Sequence, residues 1–372
     1  MAPRAHDHDA VSVPPGRRRL LALLLAPFVV ATAIGLLALW PGDVNPLTGG
    51  IAPADLVRGT VVGIERGACP GTTAEAGLRC SVPTVRLLEG PDDGRTIELE
   101  PQSEGPGAVL VEVDDAVMLG YFPDSPAGFQ YSFADFDRRT PLLVLGALFV
   151  AAVLALGRLQ GLRALLGLVV SLGILVVFVL PALLEGSSPL AVALTGAGAI
   201  GFAAIYLAHG VNGRSSIALL GTLGSLTLVG VLGAVFVEAA VFTGADENAL
   251  VITTLLGPLD LRGLILGGIV IGTLGVLDDV TVTQVSAVEE LRRADPGVGR
   301  RRLFNSALRI GRDHIASTVN TLVLAYAGAS LPLLLLFRSA GQELSDVLTS
   351  EVVAVEWCGR SWGASGWWRR CR

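Results

Sequence analysis

The chain has 372 residues, of which 52% are hydrophobic and 16% are charged, and its formal net charge is −6. A soluble domain carries about 25% charged residues, so this composition indicates that lipid is the solvent for much of the chain. The acidic balance excludes the basic surface that a nucleic-acid-binding protein presents. The 4 cysteines are too few for a disulfide scaffold, and none has the C-x-x-C spacing of a metal site.

Two segments precede the bulk of the apolar sequence. Residues 1–19 are polar, end in three consecutive arginines and are predicted to form a disordered cytoplasmic tail. Residues 20–40 form an apolar run that exceeds the roughly 7–15 residues of a signal peptide and can cross about 30 Å of hydrocarbon. We therefore predict an uncleaved transmembrane anchor, with the N-terminus held in the cytoplasm by the arginines.

Residues 41–139 have a different character, because Asp and Glu outnumber Arg there by 16 to 7. Short runs of β-favouring residues alternate with turn signals such as Gly-Pro-Asp-Asp-Gly at 90–94. This pattern predicts a small β-barrel or β-sandwich, which is extracytoplasmic because one span separates it from the N-terminus. The predicted strands are 56–64, 84–88, 96–99, 108–113 and 116–121.

Two of the cysteines, Cys69 and Cys80, lie in a predicted loop of this β domain. An extracytoplasmic compartment is oxidising, which favours a disulfide between them. The alternative is a pair of free thiols in a domain that faces the cytosol.

Residues 140–337 are predicted to form a six-helix transmembrane bundle. Arginine is concentrated in the loops predicted inside, at 158–163, 214 and 292–312, and the long loop predicted outside, 243–262, is acidic. This bias follows the positive-inside rule. The fold class is therefore a polytopic α-helical membrane protein with a small extracytoplasmic mostly-β domain after the first helix. The predicted spans are 141–157, 162–183, 188–208, 216–242, 263–283 and 316–337.

Polar residues interrupt two of these apolar helices near their predicted inner ends. Ionisable side chains are expensive in lipid and usually face the bundle interior or a water path, so we expect a joint site that binds a cation or relays protons. The alternative is that these residues meet water at the interface, with Asp313 capping the start of its helix. The candidates are Asp278, Asp279, Thr281, Thr283 and Gln284 on the first helix, and Asp313, His314, Thr318 and Asn320 on the second.

Two further patterns concern packing and the membrane surface. The glycine pairs 263/267 and 268/272 have G-x-x-x-G spacing, which is typical of closely packed membrane helices. Residues 301–312 combine arginines with an apolar side, which predicts an amphipathic helix lying on anionic lipid.

Residues 338–372 are predicted to form an outer segment followed by an aberrant tail. The last 16 residues hold four of the 5 tryptophans and two of the 4 cysteines. Such enrichment is typical of a GC-rich gene read out of frame, so we expect a frameshift that has replaced a final transmembrane helix. The alternative is a genuine tail whose Trp and Arg side chains anchor at lipid headgroups.

Three stretches resemble the YibE/F family of bacterial multipass membrane proteins. They are YSFADFDRRTPL (131–142), GVLDDVTVTQVSAVEELR (275–292) and RIGRDHIASTVNTLVLAYAGASLPLLLLF (309–337). The resemblance covers roughly residues 50–356 and implies an integral protein of the bacterial plasma membrane, often supposed to be a permease. It carries over no catalytic or ligand residues, and similar proteins continue after Glu356 with another apolar helix.

The functional expectation is a transporter or permease for an unknown small solute or ion. The carboxylates and His314 would handle a cation or proton, and the neutral polar candidates would supply further ligands. A second expectation is a non-transporting scaffold that recruits partners through the β domain. No enzyme activity, metal or cofactor is predicted, because no P-loop, H-E-x-x-H or G-x-S-x-G motif is present. The oligomeric state stays open.

Overall fold

The computed structural model describes residues 15–42, 55–69, 79–105, 107–126, 128–245, 249, 253–254, 259–339, 347, 350–351 and 353–355. Residues 1–14 of the tail predicted over 1–19 and the predicted frameshift beyond 356 lie outside these residues. The last part of that tail, 15–19, was wrongly predicted as disordered, because a helix begins at Pro15. The chain divides into two compact units, 46–152 and the remainder, 1–45 with 153–372.

The smaller unit contains one antiparallel sheet in the order β3-β2-β1-β5-β6, with β4 paired to β2. The hydrogen-bonded path between the described strands does not return from β6 to β3, so these strands form one open sheet instead of the predicted barrel or sandwich. The consecutive strands β1 and β2, β2 and β3, and β5 and β6 are neighbours, as is common for strands that follow one another in the chain, whereas β1 also pairs with the distant β5. The strands are β1 Asp55–Ala68, β2 Arg79–Leu87, β3 Thr96–Glu98, β4 Gln102–Ser103, β5 Ala116–Tyr121 and β6 Tyr131–Phe136.

One face of this sheet forms the core of the β domain. Side chains alternate between the two faces of a strand, so every second residue of β1, β2 and β5 can point into a common core. The fully buried members are Val57, Val61, Val85, Leu87, Val117 and Leu119. A bulge in β1 between Val61 and Gly63 shifts the register against β2, which bends the strand around this core.

The predicted strand at 108–113 is wrong. Within it Val111 is buried, but the neighbouring Leu110 is 57% exposed. The run ends in a turn in which the Asp115 carboxylate accepts a hydrogen bond from the Glu112 N–H at 2.7 Å and Asp114 has a φ of 76°. The turn bonds directly to β1, since the Asp114 N–H donates to the Val61 carbonyl at 2.8 Å, and residues 108–112 before it form no strand.

Cys69 and Cys80 are joined by a disulfide across a sequence separation of 11 residues. A second cross-link of the β domain is the hydrogen bond that the Tyr131 hydroxyl donates to Asp92 at 2.9 Å. Burial and this bond raise the pKa of Tyr131 to about 12. The same bond, with a second from the Arg95 guanidinium, lowers the pKa of the Asp92 carboxyl.

The larger unit is helical. Its elements, including a helix that begins in the smaller unit, are α1 Pro15–Ala38, α2 Arg139–Ile174, a π-helical turn Leu175–Val179, α3 Leu180–Leu184, α4 Pro189–His209, α5 Gly213–Ala239, α6 Leu261–Ala294, α7 Arg300–Ala329 and α8 Leu331–Ser339. Five stretches of the described chain are long and apolar enough to cross a membrane, or six if α7 and α8, which meet at a 69° bend, form one broken span.

A sharp break divides α2 at Arg158, whose φ of 48° and ψ of −128° are not helical. A Cβ added at Gly161 would meet the carbonyl of Val153, although residues eight apart in a straight helix are separated by about 12 Å. The chain therefore turns sharply between the two runs that the sequence predicts as separate spans, 141–157 and 162–183. Without the break, the 36 residues of α2 would extend about 54 Å, well beyond one bilayer.

Helices α4, α5 and α6 enclose the main core of this unit, around Ala197, Val229, Val270 and Leu277. Outside that core, α1 and α2 present many exposed leucines, with Leu37 at 83% and Leu156 at 89% exposure. Apolar surface of this extent is unfavourable in water, and lipid would cover it.

Glycines let α4 approach its neighbours. On α6, Gly267 lies against α4, where an added Cβ would sit 3.4 Å from the Pro189 carbonyl and 3.5 Å from the Ala193 side chain. The second predicted pair, Gly268 and Gly272, has no described atom within 4 Å of an added Cβ. Only the first G-x-x-x-G pair therefore serves packing between the described helices.

Hydrogen bonds connect several helix ends that the sequence predicts on the outer side of the bilayer. The Gly42 N–H, just after α1, donates to the Glu185 carboxylate beyond α3 at 2.5 Å. Likewise, Glu351 accepts from the N–H groups of Thr243 and Gly244, both at 2.6 Å. These contacts join segments that were predicted to share the outer surface.

A candidate proton or cation site between two helices

Helix α6 carries the first group of candidate residues. It begins at a capped end, because the Asp260 side chain accepts a hydrogen bond from the Gly263 N–H at 2.9 Å. It ends with Arg292 and Arg293 in its last turn, where cations are favoured by the helix dipole. Helix α6 therefore includes the candidate carboxylates and continues past them to Ala294.

Asp279 and His314 bring α6 and α7 together. The Asp279 Oδ2 atom lies 3.3 Å from His314 Nε2, with the two side chains 62% and 30% exposed. The Thr283 hydroxyl donates to the other carboxylate oxygen at 3.5 Å. Both residues were predicted as site members from separate helices, and the structure places them in contact distance.

Asp278 occupies a more enclosed position beside this pair. Its Oδ1 atom is buried, and no described group forms a hydrogen bond with it. A buried carboxylate oxygen without a partner is unfavourable, whether the group is charged or neutral. Asp278 is therefore the candidate whose oxygen most needs an additional ligand or proton.

Thr281 links the site to α5. Its hydroxyl lies 2.6 Å from that of Thr222 and also donates to the Asp278 backbone carbonyl at 3.2 Å. Both threonines are buried, and an added Cβ at Gly221 would sit 3.4 Å from the Thr281 methyl group. Sequence reasoning missed Thr222, because nothing in the sequence distinguishes it from the other small residues of α5.

The remaining candidates are distributed differently. Gln284 uses its side-chain amide to donate to the Ala307 carbonyl at 2.9 Å, so it fastens α6 to α7. Asp313 and Asn320 are exposed and Thr318 is half-buried. None of the hydrogen bonds or ion pairs described for the chain connects these three α7 residues to Asp278 or Asp279.

An ionic cluster lies about three to four turns beyond the carboxylates along α6. Glu289 on α6 pairs with Arg214 at the start of α5 and with Arg293 at 2.9 Å, and Arg293 also reaches Glu290 at 2.8 Å. These pairs join the ends of α5 and α6 on the side that was predicted to be cytoplasmic. They neutralise the acidic residues there, so the α6 carboxylates at 278–279 are the ones without an arginine partner among the described pairs.

No group of three or more His, Cys, Asp or Glu side chains that could hold a metal ion occurs in the described part of the chain. Two adjacent carboxylates, one imidazole and a threonine pair can instead exchange a proton or bind a monovalent cation. Hydroxyl and carboxylate oxygens are suitable ligands for such a cation, and His314 supplies a second proton carrier.

The described helices include five that are long and apolar enough to be candidate membrane spans, and a small antiparallel sheet forms a separate unit. The family model described as YibE/F-like protein matches residues 145–367, more than half of the chain. The chain belongs to this YibE/F-like family.

The match begins within α2 and therefore leaves the β domain outside it, whereas the resemblance in the sequence was expected to begin near residue 50. It also runs past Glu356 into the segment predicted to be out of frame. No curated protein and no solved structure matches the chain.

Proposed function

We propose that the protein is a multipass protein of the bacterial plasma membrane, with a cytoplasmic N-terminus, that moves a proton or small cation across the bilayer. The approach of Asp279 to His314 carries this proposal. The two groups lie within ion-pair distance, and no hydrogen bond joins them in this structure. Once such a bond forms, one proton can pass between them as the imidazole gains or loses its charge.

The carboxylate of Asp278 adds a second acidic group beside the Asp279–His314 pair. Asp278 lies next to Asp279 on the same helix with a buried, unpartnered oxygen. Two adjacent carboxylates disfavour simultaneous ionisation, so a proton or cation relieves their repulsion. The site is therefore suited to gain and release a positive charge in the course of transport.

Proton flux into proteoliposomes that contain the purified protein and a trapped pH-sensitive dye tests this function. A potassium diffusion potential supplies the driving force. Asp279→Asn and His314→Gln should each abolish most of the flux above that of empty liposomes. Glu290→Gln is the matched control, because it removes a carboxylate from the same helix three turns away, and it should retain the wild-type flux.

The proposal fails if both site variants keep the wild-type proton flux and the wild-type flux of sodium measured in parallel. Equal loss in Glu290→Gln would also contradict it, since the effect would then follow the net charge of α6 and not the site.

A second candidate function is that of a scaffold whose β domain recruits a partner protein. A surface cavity of about 440 Å³ opens between Gln102, Ala108 and Phe133, and Leu110 and Phe129 are exposed large apolar side chains of the same domain. Exposed apolar patches on a soluble domain often mark interaction sites. Deletion of residues 45–130 separates the two functions: a scaffold loses its cellular phenotype, whereas a bundle transporter keeps its flux.

A further inference from the structure

A cavity of about 320 Å³ lies between the end of α6 and the start of α7, away from the carboxylates. Its volume falls within the range of about 300–1,000 Å³ that is typical of ligand sites. The lining residues are Gln284, Val288, Arg300, Leu303, Phe304, Ala307 and Leu308.

The lining is suited to a hydrocarbon chain. Five of its members are apolar, and the amide of Gln284 is already engaged by the Ala307 carbonyl. Phe304 remains 45% exposed at the surface of the cavity, where a ligand would cover its ring. An aqueous polar ligand would find few hydrogen-bond partners inside, so an acyl chain is the better occupant.

The charges around the cavity select the other end of the ligand. Arg300 lines it, and Arg301 and Arg302 follow as exposed side chains on the first turn of α7. None of these three arginines takes part in an ion pair within the described part of the chain, in contrast to Arg214 and Arg293, which pair with acidic residues. Unneutralised arginines beside an apolar cavity are complementary to a phosphate diester that carries acyl chains.

We propose that this cavity is a binding site for one anionic phospholipid, with an acyl chain between Val288, Leu303 and Phe304 and the headgroup phosphate at Arg300. The site differs from simple adsorption of an amphipathic helix on a charged surface, because it holds a single lipid in a defined pocket. Of the residues that the sequence assigned to the proton or cation site, only Gln284 lines this cavity. Its side chain bonds to Ala307 and not to the carboxylates, so the inference is independent of the transport proposal.

Native mass spectrometry of the full chain in detergent tests the site, with an equimolar mixture of dioleoylphosphatidylglycerol and dioleoylphosphatidylcholine. The wild type should retain one phosphatidylglycerol in preference to phosphatidylcholine. Arg300→Gln should weaken this binding about fivefold, the equivalent of the ~1 kcal/mol that one basic residue contributes near an anionic surface. Arg309→Gln is the matched control on the same helix outside the lining, and it should have a much smaller effect.

Two further arms test the acyl chain and the source of the phosphate. Leu303→Trp fills the cavity and should reduce retention of phosphatidylglycerol. The second arm uses only the wild-type protein and so does not depend on the folding of that variant: dihexanoylphosphatidylglycerol should bind far more weakly than the dioleoyl lipid. Inorganic phosphate at millimolar concentration should not displace the lipid.

Each contrary result overturns the proposal. Equal retention of phosphatidylcholine removes the role of charge, and equal losses in Arg300→Gln and Arg309→Gln indicate surface adsorption only. Equal binding of the short-chain lipid removes the role of the cavity. Displacement by inorganic phosphate shows a free-anion site.

Discussion

The packing of α1 against α4 depends on two reciprocal contacts between threonine and glycine. Gly35 of α1 faces Thr195 of α4, and Gly198 of α4 faces Thr32 of α1. Each helix thus contributes a threonine and, three residues later, a glycine to the same interface. Small residues at such positions let two helix backbones approach closely in a membrane.

Gly35→Ala is expected to destabilise this interface. A Cβ at position 35 would lie 2.7 Å from the Thr195 Cγ2 atom and 3.0 Å from its Cβ atom. Rotation of the threonine about χ1 moves Cγ2 but leaves Cβ in place, so a rotamer change cannot remove the clash. The cost of overpacking is about 1–3 kcal/mol, and it exceeds the opposing gain of roughly 0.5–1 kcal/mol from replacing glycine by alanine within a helix.

The net loss of about 1–2 kcal/mol is measured as a fall of the unfolding midpoint of the full chain in detergent. Gly268→Ala is the matched control, because an added Cβ there meets no described atom within 4 Å, and its midpoint should not fall. Thr195→Ala, introduced into the Gly35→Ala variant, removes the Cγ2 contact and should restore part of the loss as a favourable coupling energy.

The reasoning is refuted if Gly35→Ala is as stable as Gly268→Ala. It is equally refuted if Thr195→Ala adds its own destabilisation without any coupling, because the loss would then arise elsewhere than at this contact.

Three further perturbations test other parts of the structure. Thr222→Val or Thr281→Val removes one partner of the buried hydroxyl pair and should lower the unfolding midpoint by the equivalent of about 0.6–1.7 kcal/mol, with a double-mutant cycle to isolate the pair. The pKa of Tyr131 is raised to about 12, so its contribution to the stability of the β domain is complete below pH ~10 and is lost as the pH rises toward 12. The pKa of Asp92 is lowered, so its contribution is lost as the pH falls below the usual pKa of an aspartate. Absorbance titration should therefore show one late tyrosine that disappears in Tyr131→Phe and titrates earlier in Asp92→Asn. Cys69→Ser opens the disulfide and should cost about 3 kcal/mol for a loop of this length, seen as earlier proteolysis of the β domain than in the wild type; unchanged proteolysis would contradict the stabilising role.

The candidate site was predictable in part. Asp279 and His314 stand out because ionisable residues are rare in apolar helices, and their common side followed from the alternation of the spans. Their pairing, and the absence of a described bond from Asp313 to the α6 carboxylates, depend on how α7 is rotated about its axis. Thr222 was unpredictable, since its role comes from the close approach of α5 to α6 at Gly221.

The sequence by itself determined the elements that arise from local patterns. Hydropathy and length predicted the apolar helices, the arginine at 158 marked the break between two spans, and alternation predicted most of the strands, because these signals depend on residues close in the chain. Only the tertiary structure decided that the β strands form one sheet, that Thr32 and Gly35 fit against α4, and that Asp279 reaches His314. Those results depend on the angle, register and rotation at which distant segments pack, and no local period in the sequence encodes them.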